Sequence, residues 1–585
     1  MMMKCVRQLS EILASEEAST INTSSTCKAS LEEWNAELEK VLFADPDEAK
    51  VTAGDKENSE EIEVSADEAK AEIDDVTRKL RDAFVLALAK SLGTESTEKT
   101  VCDHLALIST STEKDDNTSA DISIVIVDVT SWAWLECVVR TSSVFLRWYL
   151  QRFLQKYPLV YPMSSAPFQS LSMLTMILFL IEHNANNIEE DHDDNSHGQR
   201  FARHASLLLF YATFSPRSPN DEDMQKTHQR LVDDLRFIPR ALSLLTYPTQ
   251  TSAPLTLSLI RNVHNLLASF EGTIKVVQQT GFPYDSNTAQ APWNPKPDEN
   301  TNGLITYPSI FRDVLIWALN APHLPPFPGS TQDKRPELVV EILGIIFAMG
   351  GTEVSRALRY PCPNAALSQL VVTSLKSLSS DDDKRVYQVK LSTITILTDA
   401  SPSFGTFLVE QGALPALLEI AQRQMDTVID NIQVNDKAVS ALVPSLAVLY
   451  KFSAGNPTFR DATKELVFPP AQEEEFWKLA KEQLLLNNQH QDAATDDNND
   501  NNNNNNKQVP AKNNNMQPLD APRGTLRWKL IHLMTWTESH IKRYASELLW
   551  ALCEENPKEF VLRTGMGNAI GFLGAKGMVQ IPNNN

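Results

Sequence analysis

The amino-acid sequence predicts an all-α fold in which helical repeats stack into an α-solenoid. Three observations lead to this prediction. Twelve segments repeat apolar residues with helical spacing, strand-like segments are scarce, and 585 residues are many for one compact core. Helices without strands leave a bundle or a solenoid, and the chain length favours the solenoid.

The helical segments follow one another along the whole chain, separated by polar loops. They are 31–43, 74–92, 143–157, 169–183, 201–214, 255–270, 308–320, 336–350, 390–400, 414–425, 443–454 and 526–536. The β-branched segment 121–129 fits a strand or a buried helix. We find no strict period, which is typical of armadillo or HEAT units of about 40 residues.

Polar inserts interrupt the helical segments, and we predict that they are mobile or disordered. They are 44–66, 108–121, 184–199, 215–227, 283–303 and the Asn-rich 486–521. Such segments bury too little apolar surface to offset the entropy of ordering. We therefore divide the chain into N-terminal helices with a mobile acidic segment, a helical array, a disordered insert and C-terminal repeats: 1–73, 74–485, 486–521 and 522–582.

The composition excludes several classes of function. A net charge of −22 argues against a nucleic-acid partner, because phosphate contacts need clustered basic residues. The six cysteines form no C-x-x-C pair, and the N-terminal segment lacks the apolar core of a secretory signal. The longest apolar run, 171–181, is about half of a membrane span. We expect a cytosolic protein with no membrane span.

The chain offers no recognisable catalytic motif. His183, His192, His197 and His204 surround an acidic stretch but lack the spacing of a helical zinc site, so we interpret it as a solvated loop. The glycines at 565, 567 and 571 read G-x-G-x-x-x-G, one residue too long for a dinucleotide loop. We predict a turn between helices, with a positive φ at one of the first two glycines. We expect no metal, no cofactor and no catalytic side chain.

Two polar stripes are candidate partner-binding surfaces. On the helix that spans 538–555, Arg543, Glu547 and Trp550 share a stripe, and an exposed Trp among charges is typical of a binding hot spot. The alternative is that Trp550 packs on a neighbouring repeat. In 255–270 the polar stripe is Arg261, Asn262 and Asn265, and the alternative there is a merely solvated face.

Three linked motifs near the C-terminus carry a family resemblance. They are LRWKLIHLMT at 526–535, ELLWALCEE at 547–555 and FVLRTGMGNAIGFL at 560–573. Together they resemble the synembryn family across 524–579. The signature residues of the third motif are Thr564, Gly565, Gly567, Asn568 and Gly571.

The resemblance implies a right-handed superhelix of armadillo/HEAT-like repeats that acts as a monomer. It further implies binding to heterotrimeric G protein α subunits, GDP-bound or nucleotide-free, as a chaperone and receptor-independent exchange factor. Such a protein would lie in the cytoplasm and reach the inner face of the plasma membrane through Gα. Because the chain stops soon after the signature, we expect binding and chaperoning more than exchange. The alternative is an armadillo-type scaffold for other helical or extended peptides.

Overall fold

The computed structural model is all-α in the part of the chain that it describes. This part contains 23 helices, with a single pair of short strands. The described residues are 2–16, 24–43, 66–92, 94, 97–111, 129–150, 167–186, 197–214, 222–246, 253–284, 296–297, 301–320, 335–349, 366–377, 384–430, 436–470, 478 and 523–578. They fall into two compact units, Met1–Ala348 and Met349–Asn585.

The first unit is built from helices that pack on one another in chain order. Its elements are α1 Met2–Glu16, α2 Ser24–Phe43, α3 Ala66–Ser91, α4 Glu98–Ser111, α5 Val129–Trp148, α6 Leu171–Asn186, α7 His197–Thr213, α8 Glu222–Gln229, α9 Phe237–Thr246, α10 Ala253–Ser269, α11 Gly272–Gln279, β1 Gly281–Pro283, β2 Leu304–Thr306, α12 Tyr307–Asn320 and α13 Arg335–Met349. A π-helical turn, Arg230–Asp234, follows α8. Helix α3 packs on α5, α5 on α7 and α7 on α10. The strands pair antiparallel, with Phe282 opposite Ile305.

The second unit repeats this arrangement. Its helices are α14 Ala366–Lys376, α15 Lys384–Leu397, α16 Phe404–Glu410, α17 Leu414–Asp430, α18 Asp436–Gly455, α19 Pro457–Val467, α20 Leu526–Met534, α21 Ser539–Leu552, α22 Pro557–Thr564 and α23 Met566–Ala575. Helix α15 packs on α18 and α18 on α21, while α17 packs on α18 and α20 on α21. Each helix buries its apolar face against the next, as in repeat arrays.

The sequence Asn-Pro begins two helices of this unit in the same way. The side chain of Asn456 accepts a hydrogen bond from the Phe459 amide at 3.0 Å, and Pro457 is the first residue of α19. Asn556 likewise accepts from the amides of Lys558 and Glu559 at the start of α22. An Asn cap satisfies free amides, and the proline that follows has none to satisfy.

The predicted all-α repeat array is confirmed, with differences in detail. Helix α8 begins within the predicted loop 215–227 and ends just after it, because Met224 buries its side chain and α8 leads into the buried Leu231 and Val232. Helix α4 extends to Ser111, into the predicted insert 108–121. Helix α3 runs across the predicted boundary between 73 and 74. Residues 121–128 and the insert 486–521 lie outside the described residues. The handedness of the array stays a prediction.

One helix of the described part is long and apolar enough to cross a membrane. This stretch is Ala438–Gly455, within α18. Its Leu442, Leu446 and Leu449 are fully buried against the neighbouring helices of the unit. The core helix of a soluble protein passes the same test of length and composition.

Candidate functional site

An ion cluster joins α10 to α13 in the first unit. Arg261 donates from Nη2 to Glu337 and from Nε to Glu341, the latter at 3.2 Å. The Nδ1 atom of His264, one turn along α10, lies 2.6 Å from the other carboxylate oxygen of Glu341. Gly344 makes room for this contact, because a Cβ there would collide with the His264 ring.

The cluster holds its charges inside the protein. Burial opposes ionisation of Glu341, but the hydrogen bond from His264 and the charge of Arg261 outweigh it and lower the pKa of Glu341. Burial also opposes the charge on Arg261, and the two carboxylates outweigh it and raise the pKa of that guanidinium. Arg261 is therefore engaged by its own chain, with a fifth of its side chain exposed (20%).

The two asparagines of the same predicted stripe are buried, so the prediction that they face solvent is wrong. Asn262 is 2% exposed. Its Nδ2 donates to the carbonyl oxygens of Ser206 and Ser258 at 2.9 and 3.0 Å. Asn265 donates to the carbonyl oxygen of Thr213 at 3.3 Å. Both side chains tie α10 to α7, because a buried amide requires partners of its own.

Cationic side chains meet where α5, α7 and α10 pack together. His204 is half-buried, and burial together with the charges of Arg203, Arg140 and Arg200 keeps its pKa well below the usual range. The charges of Arg147, Arg261 and Arg203 all act on the Tyr211 hydroxyl of α7.

In the second unit, α21 presents a mixed aromatic and charged surface beside α18. The rings of Tyr450 and Tyr544 lie 6.4 Å apart, and the Arg543 guanidinium lies 5.9 Å from the Tyr544 ring. Glu547 pairs with Lys576 at 3.0 Å. Arg543 is exposed, whereas Tyr544 and Glu547 are half-buried. We call these five residues the α21 face.

Trp550 does not belong to this face, so its predicted exposure is wrong and the packing alternative holds. Its side chain is 3% exposed. The indole packs edge-on against Phe560 of α22 at 5.4 Å and against Phe572 of α23 at 5.8 Å. Glu547 and Trp550 share one side of the helix by their spacing, and α22 and α23 cover that side at Trp550.

The glycine signature is a junction between helices, as predicted. Gly565 has φ +83° and ends α22, whereas Gly567 and Gly571 lie within α23 without positive φ. Thr564 is buried and donates to the Phe560 carbonyl, and Asn568 donates to the Thr564 carbonyl at 2.8 Å. Of the two glycines at which a positive φ was expected, Gly565 has it and Gly567 does not.

Phe468, Arg527 and Arg563 form a contact that joins the chain before the long insert to the chain after it. We call these three residues the clamp. The sequence did not reveal this contact. Phe468, directly after α19 and before the insert, lies under the Arg563 guanidinium at 4.3 Å and the Arg527 guanidinium at 5.8 Å. Arg527, just beyond its end, donates to the Arg563 carbonyl at 2.7 and 3.2 Å. The Phe-Pro-Pro sequence at 468–470 was the one available signal.

These observations define an α-helical repeat protein. Among the described residues, no group of His, Cys, Asp or Glu could hold a metal ion. In a comparison with known protein families, residues 504–585 match the family model described as guanine nucleotide exchange factor synembryn.

Several relatives of this chain carry a chaperone name. The chain is similar to the protein named Chaperone Ric-8A from Xenopus laevis, with 49% identity over 55 residues, 9% of this chain and 10% of the relative. Its counterpart from Mus musculus is 46% identical over 54 residues, which are 9% of this chain and 10% of the relative. The Gallus gallus protein is 24% identical over 266 residues, 44% of this chain and 40% of the relative. The matches thus span at most two fifths of these relatives. They confirm the predicted resemblance to the synembryn family.

Proposed function

We propose that this chain binds G protein α subunits as a chaperone and promotes their nucleotide exchange. The α21 face carries the proposal, since all of its residues but Tyr450 lie in the region that matches the synembryn model, and it offers an exposed cation beside two tyrosines. Tyr and Arg are enriched among residues that dominate binding energy.

The activity would arise from binding alone. A protein that holds nucleotide-free Gα more tightly than GDP-bound Gα lowers the affinity of Gα for GDP by the same factor. A difference of about 3 kcal/mol between the two binding free energies lowers the affinity of Gα for GDP about 150-fold. The same preference would stabilise newly made Gα before it acquires nucleotide. We place this activity in the cytoplasm, at the inner face of the plasma membrane where Gα resides, with one copy of the chain per Gα. Solenoid repeats of this kind bind extended or helical segments along stacked helices.

The test uses purified chain and GDP-loaded Gα. We expect faster GDP release and a pulled-down complex, and a higher yield of folded Gα in cell-free translation. Arg543→Glu should weaken the complex about tenfold or more, whereas Lys558→Glu, an equal charge reversal on exposed α22, should not. A chain that binds no co-expressed Gα would contradict the proposal and leave the scaffold alternative.

A further inference from the structure

The sequence contains one Asn-Gly pair, Asn302-Gly303, and the structure places it in an exposed turn directly before β2. The Leu304 amide donates to the carbonyl oxygen of Thr301 at 3.0 Å and closes the turn. Asn302 and Gly303 are the two central residues, with φ of +51° and +80°. Asn-Gly favours such turns because both residues tolerate a positive φ.

Two groups in this turn are free to react with each other. In the described part of the chain, no residue accepts a hydrogen bond from the Gly303 amide, and none bonds to the Asn302 carboxamide. Both residues are exposed, and a Cβ at Gly303 would meet no atom within 4 Å. The side chain of Asn302 can therefore swing toward the Gly303 nitrogen, and water reaches both groups.

This arrangement favours a reaction within the chain. Groups joined in one molecule react as if at high concentration, and a glycine, which has no Cβ, leaves the attacking nitrogen uncrowded. The Gly303 nitrogen attacks Cγ of Asn302 and forms a C–N bond while the Cγ–Nδ2 bond breaks. Nδ2 leaves as ammonia with the proton of the Gly303 amide, and a cyclic succinimide remains. Water then opens the ring at one of its two carbonyls, which yields aspartate or isoaspartate at position 302.

We propose that Asn302-Gly303 is a site of spontaneous deamidation, and that isoaspartate there loosens β2 from β1. Isoaspartate forms when water attacks the former backbone carbonyl of Asn302. The main chain then runs through the former side chain and gains one atom. Aspartate, the other product, adds a negative charge and leaves the length of the main chain unchanged.

The added atom matters because the turn positions β2. Phe282 of β1 pairs with Ile305 of β2. Ile305 is 3% exposed, and Tyr307, where α12 begins, is also buried. Successive residues of a strand face opposite sides, so the pairing and the burial of Ile305 depend on where β2 starts. A longer main chain at position 302 displaces that start and strains both.

Peptide mapping of the full chain by mass spectrometry, before and after incubation at neutral pH, tests the site. We expect Asn302 to be converted at least about tenfold faster than Asn320, an exposed asparagine of α12 that alanine follows. Gly303→Ala should slow the conversion of Asn302 about tenfold or more, because the added Cβ crowds the nitrogen. Equal rates at Asn302 and Asn320, or an unchanged rate in a folded Gly303→Ala chain, would overturn the proposal. If Gly303→Ala does not fold, the comparison with Asn320 in the wild type decides alone.

Hydrogen exchange tests the effect on the strand pair. We expect the Ile305 amide to exchange faster in the isoaspartate form, purified by chromatography, than in the unmodified chain. Freshly prepared Asn302→Asp is the matched control, since it carries the new charge without the extra main-chain atom, and it should exchange like the wild type. An Ile305 amide that exchanges equally slowly in the isoaspartate form would overturn the proposed loosening of β2.

Discussion

The backbone of Gly565 sets where α22 stops and α23 starts. Its φ of +83° and ψ of 143° lie in a region that side chains rarely allow. Gly567, two residues later, is an ordinary helical residue with open space at its Cβ position. The two signature glycines therefore serve different purposes.

Substitutions at the two glycines should have opposite effects. We expect Gly565→Val to lower the free energy of unfolding by about 1–3 kcal/mol, because valine strains the junction. Gly567→Ala should be neutral or raise it by about 0.5–1 kcal/mol, because alanine favours the helix. Urea unfolding of both variants measures the difference. Equal destabilisation would show that the junction does not depend on φ.

Glu341 should make the first unit sensitive to acid. Its pKa is lowered in the folded chain, so its contribution to stability is complete above the ordinary value of 4.5 and is lost as pH falls through the folded pKa. Glu341→Gln should therefore reduce the loss of melting temperature between neutral pH and pH values below 4.5. Glu33→Gln, at an exposed site of α2, serves as the control. An unchanged acid profile in Glu341→Gln would contradict the role of the ion cluster.

Among the helices, α21 shows how one element serves both core and surface. Arg543 and Glu547 face outward or along the edge, while Trp550 packs into the repeat that follows. A polar stripe in the sequence predicts an exposed surface only at the positions that the next helix does not cover.

Trp550→Ala should therefore act on stability. We expect a loss of about 3–5 kcal/mol in the second unit, because the change leaves a cavity beside Phe560 and Phe572. Arg543→Ala, on the exposed face of the same helix, should stay within about 0.5 kcal/mol of the wild type. Chemical unfolding, monitored by circular dichroism, measures the free energy of unfolding of both variants. A stable Trp550→Ala chain with weakened partner binding would instead restore the hot-spot interpretation.

In the whole molecule, apolar periodicity predicted the helices because each one buries an apolar face. It could not predict which polar residues are buried. Asn262 and Arg261 look solvated in sequence, and their partners Ser206 and Glu337 are 56 and 76 residues away. The clamp of Phe468, Arg527 and Arg563 is equally non-local. Such pairings depend on the stacking of repeats, which sequence spacing does not encode.

Removal of residues 490–519 should leave the fold intact. The clamp already joins Phe468, which precedes the insert, to Arg527 and Arg563, which follow it, and loop length enters stability only logarithmically, at about 0.6 kcal/mol per doubling. We expect a melting temperature equal to or slightly above that of the full chain. Phe468→Ala, which removes the ring under both guanidinium groups, should lower it. A large loss on deletion would show that the Asn-rich stretch makes essential contacts.

The clamp and the packing of α18 on α21 have one more consequence. In the second unit, side-chain contacts hold the helices before the insert to the helices after it, and this contact does not depend on the connecting peptide. A protease cut among the asparagines would thus yield two polypeptides that remain a single folded body. The same stretch is a natural place to splice in a reporter domain without disturbing the repeats on either side.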